Sequence, residues 1–443
     1  MSSVSSYVVC SNCVRSLRKR SLFETSSYTT RRSFPSSSPF HSNSPQNDAF
    51  RSHTLTLSSS SSSSSSSTTL FSSLTDSAAL PFDLSPPPID HDLLDTVRGG
   101  GAEVSEDGII ETFNNDDEAL DAVDNGVVVV DLSHYGRIRV NGEDRIQFLH
   151  NQSTADFECL REGQGCDTVF VTPTARTIDI ANAWVMRNAV TLVVSPVTCG
   201  SIAEMLRKYI FFTDNVEIHD ITKETCLFVL VGPNSKKVME NLNLGDLLGQ
   251  PYGSHKHYSV SGMPITVAVG NVISEEGFSL LISPAVAGSV WKAILSQGAI
   301  PMGSNAWETL RIFQGKPAPG KELTNEYNVL EAGLWNSISM NKGCYKGQET
   351  ISRLVTYNGV KQNLWGICLS SPAVPGSPIT VDGKKVGKLT SYAARRKKSE
   401  HFGLGYIKRQ AAAKGDSVTV GENVVGTLVE VPFLAGQCPP SKS

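Results

Sequence analysis

The chain has no run of 18 apolar residues anywhere in its 443, so no segment is built to cross a bilayer as a helix. It also has no cysteines at ligand-pair spacing outside its N-terminal segment. Cys10 and Cys13 stand as a Cys-x-x-Cys there, while Cys159, Cys166, Cys199, Cys226, Cys344, Cys368 and Cys438 are scattered and odd in number. Such an arrangement supports neither a structural zinc site, nor a resident four-cysteine cluster, nor a disulfide framework. Acid is scarce at the N-terminus, where Met1 to Thr75 carry Arg15, Arg18, Lys19, Arg20, Arg31, Arg32 and Arg51 against only Glu24 and Asp48. A continuous apolar h-region is missing from the same segment, which excludes a secretory signal.

What that segment does have is serine, unbroken from Ser58 to Ser67. With so little apolar surface it cannot offset its ordering entropy, and disorder is expected. Arg-rich, Ser-rich, acid-poor termini are the mark of organelle transit peptides, so residues 1–76 are read as one. The hydroxyl content favours a chloroplast (stroma) over the alternative, a mitochondrion. Beyond Thr75 the chain holds 32 basic and 41 acidic residues, a formal charge of −9. This acidic body argues against nucleic acid as a partner, and no membrane partner is expected. Arg395-Arg396-Lys397-Lys398 is the one basic run; it reads as a solvated hairpin tip, with docking of an anionic ligand tail or partner as the alternative.

Residues 77–105 read as a linker, punctuated by Pro86-Pro87-Pro88 and Gly99-Gly100-Gly101 with a short helix from Asp90 to Val97 between them. The body, 106–340, opens with strands Val127 to Asp131 and Arg137 to Val140 and a helix carrying Ile146, Phe148 and Leu149. Leu192-Val-Val-Ser195-Pro196 followed by Gly200-Ser201 recurs 88 residues on as Leu280-Leu-Ile-Ser283-Pro284 followed by Gly288-Ser289. Each copy is an apolar strand, a Ser-Pro helix start and an amphipathic helix. Strands Val216 to Ile221 and Cys226 to Val231 and a helix from Asn234 to Leu242 lie between them. The pattern predicts duplicated β-α-β units in an α+β body. After a cysteine loop, 341–350, short apolar runs separated by Pro-Gly, Asp-Gly and Lys-Gly turns predict a small β-barrel over 351–435.

The loop Asn341-Lys-Gly-Cys-Tyr-Lys-Gly-Gln-Glu349 sets one thiol between two lysines and two glycines. Gly343 and Gly347 permit a sharp turn that holds Cys344 at a surface. Lys342 and Lys346 supply a positive potential that favours thiolate. The plainer alternative is a buried, inert cysteine.

These residues resemble a known group, the folate-binding superfamily that holds the glycine-cleavage aminomethyltransferase (T-protein, GcvT-like) and the YgfZ-type iron–sulfur cluster assembly and repair proteins. Lys342-Gly-Cys344-Tyr-x-Gly347-Gln-Glu349 resembles the YgfZ branch, as does Phe148-Leu-x-x-Gln152-x-Thr154-Ala-Asp156. Asp131-x-Ser133-His134-x-Gly136, Glu275-Glu-Gly277, Leu310-Arg311 and Glu331-Ala-Gly-Leu334 are similar to the T-protein side. The resemblance implies a three-domain ring closed by the C-terminal barrel, with tetrahydrofolate or a one-carbon derivative as cofactor. It implies folate contacts by Glu275, Arg311, Tyr345 and Gln348, with Cys344, Lys342 and Asp179 as the reactive set and no metal. A carboxylate at Glu275 suits the two-donor edge of a pterin; an exposed loop acid is its other reading, and a structural ion pair is that of Arg311. Around Asp179 the T-protein pattern is broken by Ala175-Arg176 and Ile180. The function implied is a plastid, tetrahydrofolate-dependent, one-carbon-transferase-like protein that supports assembly or repair of iron–sulfur client enzymes or works with their assembly factors. The alternatives are a true aminomethyltransferase and a non-catalytic folate-binding scaffold.

Overall fold

The computed structural model describes residues 91–395 and 397–437. The expected transit segment, with Cys10 and Cys13, lies outside the described residues, as do Cys438 and the first part of the expected linker. Among the described residues no helix is long and apolar enough to cross a membrane.

The internal repeat is larger than the sequence reveals. Strand Gly136–Asn141, helix Arg145–Gln152, strands Gln164–Val171, Thr177–Val185 and Ala189–Val194, helix Cys199–Lys208 and strand Glu217–Asp220 follow in order and build a five-stranded antiparallel sheet. The same succession then recurs as strand Cys226–Val231, helix Ser235–Asn241, strands His255–Val260, Met263–Val269 and Phe278–Ile282, helix Pro284–Ser296 and strand Ile300–Met302. Strand Val128–Asp131 inserts into this second sheet beside Cys226–Val231, making six strands, and Ile300–Met302 pairs parallel to it. The Ser-Pro signature marks only the third-strand-to-second-helix step of each unit. In the second copy the helix begins on Pro284 itself. In the first it begins at Cys199, after Asp179 has taken the Ser195 N–H and the Thr198 hydroxyl.

The six-stranded sheet is covered on both faces, which is why its strands are continuously apolar rather than alternating. Phe228 and Leu230 face the helix that carries Trp291, whereas Leu227 and Val229 face Trp307 and Leu310 on helix Ser304–Gln314. Fully burying each such side chain contributes about 1.5–3 kcal/mol. The reading of 77–105 as linker needs correcting: helix His91–Gly99 buries Leu93 and Val97, four residues apart on one face, in the first of these cores. The folded body thus begins before residue 106.

The C-terminal strands form a closed six-stranded barrel, because Gln362–Leu369 pairs with both Glu400–Lys408 and Val424–Val429. Its longest strand, Lys384–Arg395, is masked in the sequence by its lysines; Val386 and Leu389 fill the barrel, and past a register shift between Leu389 and Ser391 the strand turns Ser391 and Ala393 to the body. Stacked pairs fasten barrel to body, Phe313 on Phe402 and Tyr327 on Tyr406, with ring centroids 4.9 and 3.6 Å apart. The basic hairpin tip is docked rather than simply solvated. Arg395 lies over the Phe313 ring and pairs with Asp124 at 3.2 Å, and Lys398 pairs with Asp121 at 2.7 Å.

Candidate functional site

The two halves of the repeat meet through corresponding strands. A Cβ on Gly253, whose φ is +80°, would lie 2.3 Å from the Gly165 carbonyl oxygen, and the His255 N–H donates to the Gly163 carbonyl at 2.9 Å. Only glycine allows so close an approach in that conformation. The junction carries Tyr252 onto Asp167. The Tyr252 hydroxyl donates to Asp167 Oδ1 at 2.6 Å, Asn182 Nδ2 donates to the same oxygen at 3.1 Å and to the Tyr252 hydroxyl at 2.7 Å, and Trp184 Nε1 donates to Asn182 Oδ1 at 2.6 Å. Lys316, just past helix Ser304–Gln314, completes the network at 2.9 Å from Asp167 Oδ2, its ammonium 4.4 Å from the Phe433 ring centre. Burial alone would raise the Asp167 pKa. The Lys316 charge and the hydrogen bonds from Tyr252, Lys316 and Asn182 outweigh it and hold the carboxyl below its usual range.

Glu275 stands at the edge of this network. It is exposed, on a bend between strands Met263–Val269 and Phe278–Ile282. Its carbonyl oxygen and the Tyr252 ring both press on Gly270, at 3.2 and 2.3 Å from where a Cβ would sit. The Tyr252 hydroxyl pKa is raised well above its ordinary value by burial, then by Asp167 and, more weakly, by Glu275. The fold therefore gathers Glu275, Tyr252, Asp167, Asn182 and Lys316.

Asp179 is buried and turned inward. Its Oδ1 accepts the Ile180 N–H at 2.7 Å, and its Oδ2 accepts the Ser195 N–H at 2.8 Å and the Thr198 hydroxyl at 2.5 Å. Burial pushes its pKa up to about 6, and these hydrogen bonds offset burial only in part. Its observed work is to hold the start of helix Cys199–Lys208.

Arg311 corrects the expectation of a folate contact. All five of its N–H donors are spent: Nε and Nη2 on Glu308 at 2.8 and 2.7 Å, Nη1 on the Lys316 carbonyl and Glu322 at 2.6 and 3.0 Å, and Nη2 again on Ser391 at 3.1 Å. Glu322 is fully buried and also accepts the Thr390 and Ser391 hydroxyls, both at 2.6 Å. A guanidinium has no sixth donor, so Arg311 is the latch between body and barrel.

The cysteine loop is anchored from both sides of its thiol. Cys344 is exposed. Lys342 is buried and gives its three donors to the carbonyls of His150, Ser153 (2.6 Å) and Ala155 (2.7 Å). It therefore has none left for the thiol, which corrects its expected place beside Cys344 chemistry. Burial also pulls its pKa down to about 8. Tyr345, expected to touch folate, is buried among Val169, Val171 and Leu330, and burial raises its pKa to about 12. Gln348 opens helix Gln348–Thr356, its N–H on the Tyr345 carbonyl at 3.2 Å. Of the two loop glycines only Gly347 takes a positive φ, +84°. A cavity of about 390 Å³ lies beyond this helix, lined by Trp335, Leu354, Val360, Trp365 and Arg409. Neither Cys344 nor Glu275 borders it.

Asp167, Asn182, Tyr252 and Lys316 were not singled out from sequence. The available signal was an acid and an amide inside otherwise apolar strands, since a polar residue in a buried run implies a partner.

The GCVT N-terminal domain family matches residues 111–342, more than half of the chain. This chain belongs to the GCVT family. A chloroplast protein of Arabidopsis thaliana, named "Putative transferase At1g60990, chloroplastic", is 70% identical over 365 residues, covering 82% of this chain and 84% of that one. GCVT relatives named aminomethyltransferase are 27% identical in Halothermothrix orenii (71% of this chain, 90% of the relative) and 28% in Geobacillus kaustophilus (76% and 94%). The glycine cleavage system aminomethyltransferase T of Bartonella henselae superposes with a TM-score of 0.69 at 17% identity, over 77% of this chain and 97% of its own, which establishes the shared fold. The protein is chloroplastic, in agreement with the composition of its N-terminus.

Proposed function

We propose that this GCVT-family protein binds tetrahydrofolate or a one-carbon derivative at the junction of its two repeats and serves iron–sulfur enzymes of the plastid stroma. The observation that carries the ligand is Glu275, an exposed acid whose backbone carbonyl packs on Gly270 beside the Tyr252 ring, and whose charge is felt at the Tyr252 hydroxyl that donates to the buried, Lys316-paired Asp167. A pterin's N3–H and 2-amino group form a two-donor edge that one carboxylate accepts. Family membership supports the same ligand. Arg311 has no part in this binding; Gln348 remains a candidate contact.

The iron–sulfur refinement rests on Cys344. An exposed sulfur on a loop pinned by Lys342 and Tyr345 can attack a disulfide or lend one ligand to a cluster in transit, and it cannot hold a cluster alone. The second reading, transfer of an aminomethyl-derived carbon, is favoured by the relatives bearing that name. Against it stands Asp179, which is committed to Thr198, Ser195 and Ile180.

Titrating the protein with tetrahydrofolate, wild type against Glu275→Ala, tests the ligand. A Kd in the micromolar range or tighter, weakened tenfold or more (about 1.4 kcal/mol) by the substitution, is expected; absence of wild-type affinity would discard the reading. Cys344→Ala, introduced into a plant line without the endogenous protein, is expected to leave plastid iron–sulfur enzyme activity low. Full rescue by that variant, with methylene-tetrahydrofolate formed from a lipoyl-bound intermediate, would establish the second reading instead.

A further inference from the structure

We infer that His150, Asp156 and Glu158 form a binding site for one divalent transition ion of the zinc(II)/iron(II) class, beside the Cys344 loop. This inference is independent of folate and of any thiol chemistry.

The ligand atoms of the three residues all lie within 4.8 Å of one another, on a buried histidine, a half-buried aspartate and an exposed glutamate. A cluster of polar side chains would mean little without His150. That imidazole is only 3% exposed, yet its Nδ1 has no hydrogen-bond partner. A buried ring nitrogen left in this state has lost its water without gaining a partner, and a direct bond to the neighbouring carboxylate would remove that cost. Instead Nδ1 stands 3.4 Å from Asp156 Oδ1, without forming that bond. Two ligands, each about 2.1 Å from a tetrahedral ion, are separated by about 3.4 Å. The spacing is therefore too loose for a good hydrogen bond and right for two corners of a tetrahedron. Glu158, being exposed, has the rotational freedom to swing its carboxylate to a third corner.

The backbone keeps these groups in place. Asp156 Oδ1 accepts the Glu158 N–H at 3.1 Å, so the turn that presents one carboxylate also positions the other. Lys342 grips the carbonyls of His150, Ser153 and Ala155, fixing the segment that carries the ligands. Its positive charge is opposed by two carboxylates, leaving a site with net negative charge for a cation. A Cβ on Gly343 would come no nearer than 4.0 Å to His150 Nε2, so the cysteine loop runs past the imidazole without covering it with a side chain. One nitrogen and two oxygens suit zinc or iron(II) better than magnesium or calcium, which favour all-oxygen sites. Three protein ligands with one at the surface leave a coordination position open, as in exchanging rather than purely structural sites.

The full chain, stripped with chelator, is titrated with zinc(II) and with cobalt(II) as a spectroscopic probe, the latter under argon. One equivalent is expected to bind, with the strong ligand-field absorption of four-coordinate cobalt, and affinity is expected to fall at least tenfold in Glu158→Gln and in Asp156→Asn. Glu158→Gln changes a surface side chain and keeps its volume, so a folding failure cannot mimic the loss; His150→Gln is read only if its melting temperature matches wild type. The double variant Cys159→Ser/Cys344→Ser is expected to bind as wild type does. Less than 0.1 equivalent in the wild type, full affinity in both carboxylate variants, or loss of binding in the double cysteine variant would each overturn the site.

Discussion

Replacing Arg311 separates two roles that the same residue type can play in this fold. In Arg311→Met the stem still packs, but Glu322, fully buried, loses its charged partner at 3.0 Å and is left with hydroxyls and one backbone N–H. Removing one member of a buried ion pair costs about 3–5 kcal/mol, because the remaining charge has neither water nor a counter-ion. At about 2–4 °C per kcal/mol, the melting temperature should fall by roughly 6–20 °C, with this long chain toward the smaller shift. Barrel and body should uncouple first, since Ser391 and Thr390 of the barrel meet Glu322 of the body at this point. Adding Glu322→Gln removes the stranded charge and should restore a substantial part of the loss. Differential scanning calorimetry on the two variants, with tetrahydrofolate titration alongside, checks this. An unchanged melting temperature together with weakened folate binding would refute the latch and return Arg311 to the ligand.

Asp179 should give stability a distinctive pH dependence. Its folded pKa of about 6 lies above the ordinary aspartate value of 3.8, so it contributes stability while protonated and loses that contribution as pH rises through about 6. Relative to Asp179→Asn, the wild type should therefore be more stable at pH 4.5 than at pH 7.5 by about 2 kcal/mol in urea unfolding; a flat difference would contradict the burial argument. Lys342→Met should cost about 2–4 kcal/mol through its three abandoned carbonyls and should speed alkylation of Cys344 by iodoacetamide as the loop loosens. Unchanged alkylation would show that the loop is held elsewhere. Gly253→Ala, with a Cβ 2.3 Å from the Gly165 carbonyl oxygen, should part Tyr252 from Asp167 and weaken folate binding more than Gly249→Ala, which meets nothing within 4 Å. Equal effects would sink the junction as the ligand site.

Local pattern was enough for the α+β body, the repeat and the barrel. Strand Phe278–Ile282 and helix Pro284–Ser296 announce themselves through apolar β-branched and leucine runs followed by Ser-Pro. Lys384–Arg395 does not, because its lysines and the register shift between Leu389 and Ser391 break the alternation. Site residues were harder for the same kind of reason. Cys344 is legible as exposed, since its neighbours are polar and glycine-rich. Lys342 beside it looks like a source of potential for the thiol, and nothing in nine consecutive letters says that its ammonium will meet carbonyls nearly two hundred positions away.

Composition and periodicity alone determined an organelle address, the class of fold and the presence of a doubled unit, for these are properties of one segment read against water. Which charges became partners was decided in three dimensions. Arg311 with Glu322, Lys316 with Asp167 and Asp179 with Thr198 are pairs chosen by sheets and helices packing. A buried ion is tolerated only where the fold happens to bring its complement within about 3 Å, and sequence order carries no record of that encounter.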